Sequence, residues 1–394
     1  MTSLLPPLTL TNALVLRGGA LQNGTVALAE GRIAHGAVTE VDLSGYLVLP
    51  GIIDLHGDGF EHHIAPRPSA RFALAAGLAS YDREAAAHGV TTAYMAQGWS
   101  WEGGPRGPDK AEEFMAAVQA YRREAMTDLR VQIRAETHLV AEADRLIEAV
   151  RDFGVDYVIF NNHLAEARQM ARLAPADFTA WARKIGRTAA DLTRDVEAAT
   201  ALEKSVPRSL RKLAEAFDAM GLRYGSHDDP DAETRSYFAM IGAEIAEFPT
   251  TRGAAAGARA MNNPVLMGAP NVVRGGSQAG NVSASNLVQD GLCDVLVSDY
   301  HLPALPLAVW ALVDRGILDL AQAWALISTR PAQVMGLHDR GEIALGRRAD
   351  LVVVHAASRK IEATICAGRL THLSGQAALR FMGLGRAQTA LAAE

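Results

Sequence analysis

Between Gly51 and Pro303 the chain repeats one local pattern about eight times: a short apolar run, then a stretch with helical spacing. The runs are "GIIDLH", "VTTAYMAQG", "VQIRAETHL", "DYVIFNNH", "LRYGSHDD", "AEIAEFPT", "NPVLMGAPN" and "CDVLVSDYH". Between them Arg71–His88, Asp109–Met126, Glu142–Phe153 and Leu305–Arg315 read as helices. Strands joined through helices pair in parallel, because each return crosses the sheet. About eight such units predict an α/β fold, a (β/α)8 TIM barrel. A doubly wound sheet would call for a glycine-rich nucleotide fingerprint after the first strand, and the chain has none.

Both ends of the chain break this rhythm. "NALVL", "GTVALAEGRIAHG" and "VDLSGYLVLPG" at the start, and "GEIALGRRADLVVVH" and "IEATICAGRLTHL" near the end, are strand-like runs separated by turns. They predict a small β-sandwich domain formed from both termini, residues 1–50 and 339–394, around a barrel at 51–338. Residues 164–220 read as a charged helical insertion in the barrel, either a pair of solvated surface helices or a flap over its mouth.

With 394 residues, 49% hydrophobic and 21% charged, the chain is long enough for this architecture and ordinary in composition. Its two cysteines, Cys293 and Cys366, exclude a disulfide framework and suit a reducing, cytoplasmic setting. The first residues, "MTSLLPPLTLTNALVL", lack a basic leader, and no apolar run reaches membrane-spanning length. A formal net charge of −6 gives no general attraction to nucleic acid. The expected partner is therefore a small molecule, with no nucleic acid and no membrane; a homo-oligomer would be unsurprising.

Polar residues of one chemical kind stand at the ends of the apolar runs: His56 and Asp58, then Glu136 and His138, then His163, His227 and Asp299. Singly, each has an ordinary explanation. A strand-end histidine is commonly a hydrogen-bonded surface residue, and Asp228, Asp229 or Asp299 could cap a following helix. Together they converge, because the C-terminal strand ends of a barrel share one face, where its active sites lie. Imidazole nitrogen and carboxylate oxygen suit zinc, with manganese or iron as alternatives. One or two divalent ions are expected; a pair about 3.5–4 Å apart would activate a water and polarise a substrate oxygen.

A second motif, "MGAPNVVRGGSQAGNVSA", puts Arg274, Gly275, Gly276, Ser277 and Asn281 after a strand. Backbone N–H groups freed by the two glycines, beside Arg274, would make an anion cradle. The plainer alternative is a glycine-rich turn. Arg67 and His62, close behind the first strand, are further candidates for binding a phosphorylated substrate.

These residues resemble the amidohydrolase superfamily, and more closely the PhnM-type diphosphatases of phosphonate metabolism. The resemblance rests on "PGIIDLHGDGFEHHIAPRP", "SHDD", "AEFPTT", "GAPNVVRGGSQAGNVSA", "SDYHLP" and "TRPAQVMGL". It implies hydrolysis of ribose 1-methylphosphonate 5-triphosphate to the 5-phosphate and pyrophosphate. It also implies metal ligands at His56, Asp58, Glu136 (bridging), His163, His227 and Asp299. Asp299 would take the proton of the attacking nucleophile, with His227 beside it in the catalytic set; Arg67, Arg274 and Ser277 would hold phosphoryl oxygens. The chain departs from the family at Gly57 and Gly59, where a Thr and an Asn are usual, in "NNHLAEA" (Asn161–Ala167), and at Gln278 in place of a His. Those departures keep an alternative open, a deaminase or cyclic amidase acting on a C–N bond of another small molecule. A non-catalytic protein on the same scaffold is a third reading, disfavoured by the retained metal-type side chains.

Overall fold

The computed structural model describes residues 3–36, 39–67, 70–277 and 280–383. The first five strands belong to one sheet: β1 (Leu8–Arg17), β2 (Ala20–Ala29), β3 (Arg32–Ala34), β4 (Thr39–Asp42) and β5 (Tyr46–Pro50). Gly51 alone separates β5 from the next strand. A Cβ at Gly51 would lie 2.3 Å from Thr91 Oγ1, so the crossing between sheets needs a residue without a side chain.

The next eight strands form the barrel: β6 (Ile52–Gly57), β7 (Val90–Trp99), β8 (Asp128–Glu136), β9 (Tyr157–Asn161), β10 (Arg223–His227), β11 (Ile245–Glu247), β12 (Val265–Gly268) and β13 (Val295–Val297). Each is parallel to its neighbour in chain order, as crossover helices require. A single parallel bridge between Gly57 and Asp299 carries the sheet round to its first strand. The seam is reinforced by Asp54, fully buried, whose carboxylate accepts from Ser298 N (2.9 Å) and Ser298 Oγ (2.5 Å). Burial pushes the Asp54 carboxyl up to about 6, with the Ser298 bonds opposing it.

Ile53, Leu55, Tyr94, Tyr157, Ile159, Leu266, Val295 and Val297 share one buried cluster drawn from the barrel strands. A second, larger cluster joins the strands to the surrounding helices. The remaining strands, β14 (Leu351–His355), β15 (Ile361–Cys366) and β16 (Arg369–Leu373), return to the first sheet. Its order is β16-β15-β14-β5-β1-β2-β3, with β4 on β1, so both chain ends build one layer with a core of its own.

Between β9 and β10 run four helices: Leu164–Leu173, Pro175–Lys184, Ala189–Ala201 and Val206–Met220. The last has apolar residues at Leu210, Leu213, Ala214 and Phe217, the spacing of one helical face, and packs in the barrel's helical layer against Phe160. The first three share a separate apolar cluster with Trp101, which follows β7. They sit on the segment Trp99–Arg106 and are not free in solvent. Among the described residues, no helix is long and apolar enough to cross a membrane.

Candidate active site

The C-terminal strand ends of the barrel hold an unusual backbone. Asp228, Phe248 and Asp299 follow β10, β11 and β13 with φ of 59°, 52° and 56°. Left-handed conformations at non-glycine residues are uncommon and cost about 1–3 kcal/mol each. They persist here because the ladder continues through them: Asp228 N donates to Glu247 O, Phe248 N to Leu266 O and Asp299 N to His56 O, each at 2.9 Å. Side chains at these three strand ends line one cavity.

That cavity, about 270 Å³, is lined by His56, Arg134, His227, Asp299, Arg274 and Tyr300, among others. Beside it His56 (β6), His227 (β10) and Glu247 (β11) bring ligand-type atoms within 4.8 Å of one another. Glu247 Oε2 accepts from His227 Nδ1 at 2.8 Å and lies 3.0 Å from His56 Nδ1. Its other oxygen accepts from Gln132 Nε2 (2.9 Å) and Tyr157 OH (3.2 Å). Burial by itself would raise the Glu247 carboxyl, but His56 and His227 outweigh it and hold the group well below the usual range. Phe248 meets both imidazoles edge-on, with centroids 5.1 and 5.0 Å away.

His56 is fully buried, and neither of its ring nitrogens has an aligned hydrogen-bond partner. A buried imidazole left so is costly unless something else takes its lone pair. The donor set of two imidazoles and a carboxylate fits a divalent metal ion of the zinc, manganese or iron kind.

A second group lies at the ends of β7, β8 and β9: Glu102, Glu136 and His163. Glu136 accepts from Trp101 Nε1 and from His163 N, both at 3.2 Å, and lies 2.5 Å from His163 Nδ1. Glu102 accepts from Ser100 Oγ (3.1 Å) and from Trp181 Nε1 (3.0 Å), the latter on the helix Pro175–Lys184. These residues, with Glu61 and Arg106, line a cavity of only about 10 Å³.

The six positions expected to hold metal therefore divide. His56, His227 and Asp299 line the larger cavity, while Glu136 and His163 line the smaller. Asp58 lies 3.9 Å from Arg134 and belongs to neither lining. Arg134, from β8, lines both cavities. Its Nη2 stands 3.3 Å from His227 Nε2. With the Asn161 amide turned so that its oxygen faces the guanidinium, that oxygen accepts from Arg134 Nε (3.2 Å) and Nη2 (3.0 Å).

The anion motif is built differently from the expected cradle. A short helix, Ala269–Arg274, stands between β12 and the glycines. Gly275, at φ 82°, ends that helix, its N–H donating to Val272 O (3.3 Å), while Gly276 N donates to Asn271 O (2.9 Å). Those N–H groups satisfy the helix carbonyls, so they are not freed for an anion. Arg274, Gly276, Ser277 and Asn281 do line the larger cavity, where Arg274 Nη1 meets Tyr300 OH at 3.3 Å. Arg67 and His62 are exposed and line neither cavity. Gln278 lies outside the described residues. Gly57 admits no side chain, since a Cβ there would lie 2.6 Å from Ser298 Oγ.

Sequence reasoning passed over Glu247, Glu102 and Arg134. Glu247 had the same signal as the residues chosen, a carboxylate closing an apolar run in "AEIAEFPT". Glu102 sits in "GWSWEGG", past the end of its strand, and Arg134 carries the wrong charge for a metal ligand.

The amidohydrolase family model matches residues 110–371. The chain is 32% identical over 365 residues to the alpha-D-ribose 1-methylphosphonate 5-triphosphate diphosphatase of Escherichia coli (strain K12), covering 90% of this chain and 95% of that one. Among solved structures, N-acetylglucosamine-6-phosphate deacetylase from Pasteurella multocida superposes with a TM-score of 0.61 at 11% identity, over 92% of this chain and 99% of that one. Dihydropyrimidinase from Brevibacillus agri NCHU1002 does so with 0.59 at 12% identity, over 94% and 97%. At such identities these two speak for the fold alone. By barrel, donor set and relatives together, the chain belongs to the amidohydrolase family and is a metal-dependent hydrolase.

Proposed function

We propose that this hydrolase cleaves a phosphoanhydride bond of a phosphorylated ribose. The proposed substrate is α-D-ribose 1-methylphosphonate 5-triphosphate, giving the 5-phosphate and pyrophosphate. The observation that carries the reading is one cavity lined both by His56, His227 and Asp299 and by Arg274, Ser277 and Asn281. Metal-type donors and an arginine-bearing wall within reach of one ligand suit a substrate whose reacting group is a polyanion. The curated relative named for such a reaction supports the choice of bond.

In this reading His56, His227 and Glu247 hold a divalent ion, zinc before manganese or iron. Asp58 and Asp299 stand near, and Glu136 and His163 form the neighbouring group. Such an ion supplies Lewis-acid polarisation of a phosphoryl oxygen and lowers the pKa of water. Asp299 takes the proton of the attacking water. Burial pushes its carboxyl up, with His56, His227 and Arg134 opposing. Arg274 and Ser277 hold oxygens of the departing pyrophosphate. His62 and Arg67, exposed and off the cavity wall, fall outside this contact set.

The test is release of pyrophosphate and phosphate from a panel of ribose and nucleoside triphosphates, using protein of known metal content. Metal-dependent pyrophosphate release is expected, with Arg274→Ala raising KM for a phosphorylated substrate far more than for a neutral one. A metal-loaded protein inert to every phosphoanhydride, yet releasing ammonia or opening cyclic amides, would overturn the reading.

A further inference from the structure

Arg235, on the helix Ala232–Met240, is fully buried and lines neither cavity. Arginine is almost never fully buried unless its charge is matched. Here Nη1 donates to Ser226 Oγ (2.6 Å), Ile245 O (3.0 Å) and Asp229 Oδ2 (3.3 Å), and Nη2 donates to Ala243 O. Ser226 Oγ donates in turn to Asp229 Oδ2 at 2.6 Å.

Those acceptors bracket the strands that carry two of the metal-type donors. Ser226 precedes His227 in β10, and Asp229 follows the left-handed turn at Asp228. Ala243 leads into β11, and Ile245 opens it. Thr250 N, beyond β11, donates to Asp229 O (3.0 Å), so the turn is held from that side as well. The ladder between the two strands is short, from Gly225–Ile245 to His227–Glu247. One guanidinium therefore ties together the strands that bring His227 Nδ1 to 2.8 Å from Glu247 Oε2.

Stability alone is a poor reason for such a group. Apolar residues of similar volume often replace a buried ion pair without loss, and sometimes with gain. This network carries an added cost, because Arg235 Nε and Asp229 Oδ1 are buried without a hydrogen-bond partner. What a planar guanidinium offers instead is direction, several N–H groups fixed in one plane.

We propose that Arg235 is a positioning residue for the metal site: through Ser226, Asp229 and the start of β11 it sets the spacing at which His227 and Glu247 meet to hold the ion. This role rests on the ion assignment made above and on nothing about which bond is cleaved.

The experiment compares the full-length protein with Arg235→Met/Asp229→Asn, Arg235→Lys and His227→Ala. The double variant removes both charges together and leaves no lone buried carboxylate. Zinc affinity is read against a chromophoric chelator, ligand geometry from the visible spectrum of the cobalt(II) form, and folding from thermal unfolding by circular dichroism. The double variant is expected to melt within about 4 °C of wild type. It should hold zinc at least about tenfold more weakly and show an altered cobalt spectrum, with Arg235→Lys recovering part of both. A double variant that binds zinc as the wild type does and keeps its cobalt spectrum overturns the proposal. Should it fail to fold, Ser226→Ala, which removes the hydroxyl between Arg235 and β10, must show the zinc loss and the spectral change; wild-type behaviour there overturns the proposal too. Wild-type zinc affinity in His227→Ala would overturn the ion assignment and this role with it. Loss of zinc there beside an unaffected double variant overturns the role alone.

Discussion

Replacing Glu247 by Gln keeps the shape of the side chain and removes its charge. The carbonyl oxygen of the new amide can still accept from Gln132 Nε2 and Tyr157 OH, which now donate to Glu247 Oε1 at 2.9 and 3.2 Å. The NH2 must then face His227 Nδ1 and His56 Nδ1, at the 2.8 and 3.0 Å where Oε2 stands now. Two donors cannot meet, so each imidazole would have to turn its Nδ1 lone pair to the amide and move its proton to Nε2. That consumes lone pairs an ion would use and removes a carboxylate from its surroundings. Losing even an outer-shell partner of a ligating imidazole costs about 10–100-fold in metal affinity, which corresponds to about 1.4–2.7 kcal/mol, and a carboxylate that is itself a donor costs at least as much. The assay is zinc partition between the protein and a chromophoric chelator, with near-ultraviolet circular dichroism to verify the fold. We expect Glu247→Gln to lose the chelator competition by at least tenfold, and activity to return partly at high added zinc. A folded Glu247→Gln protein that keeps zinc as tightly as the wild type would refute the role given to this carboxylate.

Asp299→Asn is expected to abolish turnover with metal content and melting temperature preserved; substantial residual rate in single-turnover measurements would remove Asp299 from the proton transfer. Trp181→Phe deletes the indole N–H that Glu102 accepts at 3.0 Å and should destabilise the protein by about 1.5–3 kcal/mol in urea unfolding, as for hydrogen bonds to charged groups. An unchanged midpoint would show that the first three inserted helices do not depend on this bond. Asp128 is pushed up by burial, but Arg130, Arg340 and Arg348 outweigh that and hold its carboxyl below the ordinary value. Its stabilisation is thus full above the unfolded-state pKa of about 3.9 and is lost as pH falls through the lower folded value. Asp128→Asn should cost about 1–2 kcal/mol at neutral pH after allowance for partial exposure, with the gap to wild type closing as pH falls below the unfolded-state value. A gap that stays constant down to pH 2 would refute the assignment.

Much of this molecule is legible locally. Each of the eight quoted apolar runs overlaps a barrel strand, from Ile52–Gly57 to Val295–Val297. Period-two and period-3.6 patterns report which face of an element is buried, and burial decides whether the element forms. The chemical kind of the site was legible for the same reason: His56, His227 and Asp299 each close an apolar run, and a barrel sends such ends to one face. Glycine-rich "RGGS" misled about the backbone, because a helix reaching Arg274 spends the glycine N–H groups on its own carbonyls. Nothing local distinguishes a capping glycine from an anion-binding one.

The sequence by itself determined the parallel barrel, the strand-end placement of the histidines and carboxylates, and the return of the last strands beside the first. Those follow from residue periodicity and from the few ways a chain of alternating strands and helices can close. Only the tertiary structure decided which donors meet. It set Glu247 between His56 and His227, gave Glu136 and His163 to Glu102, and put Arg134 in the gap. These partnerships join residues far apart in the chain, and they are fixed by left-handed turns at the strand ends and by competition among buried charges for few partners.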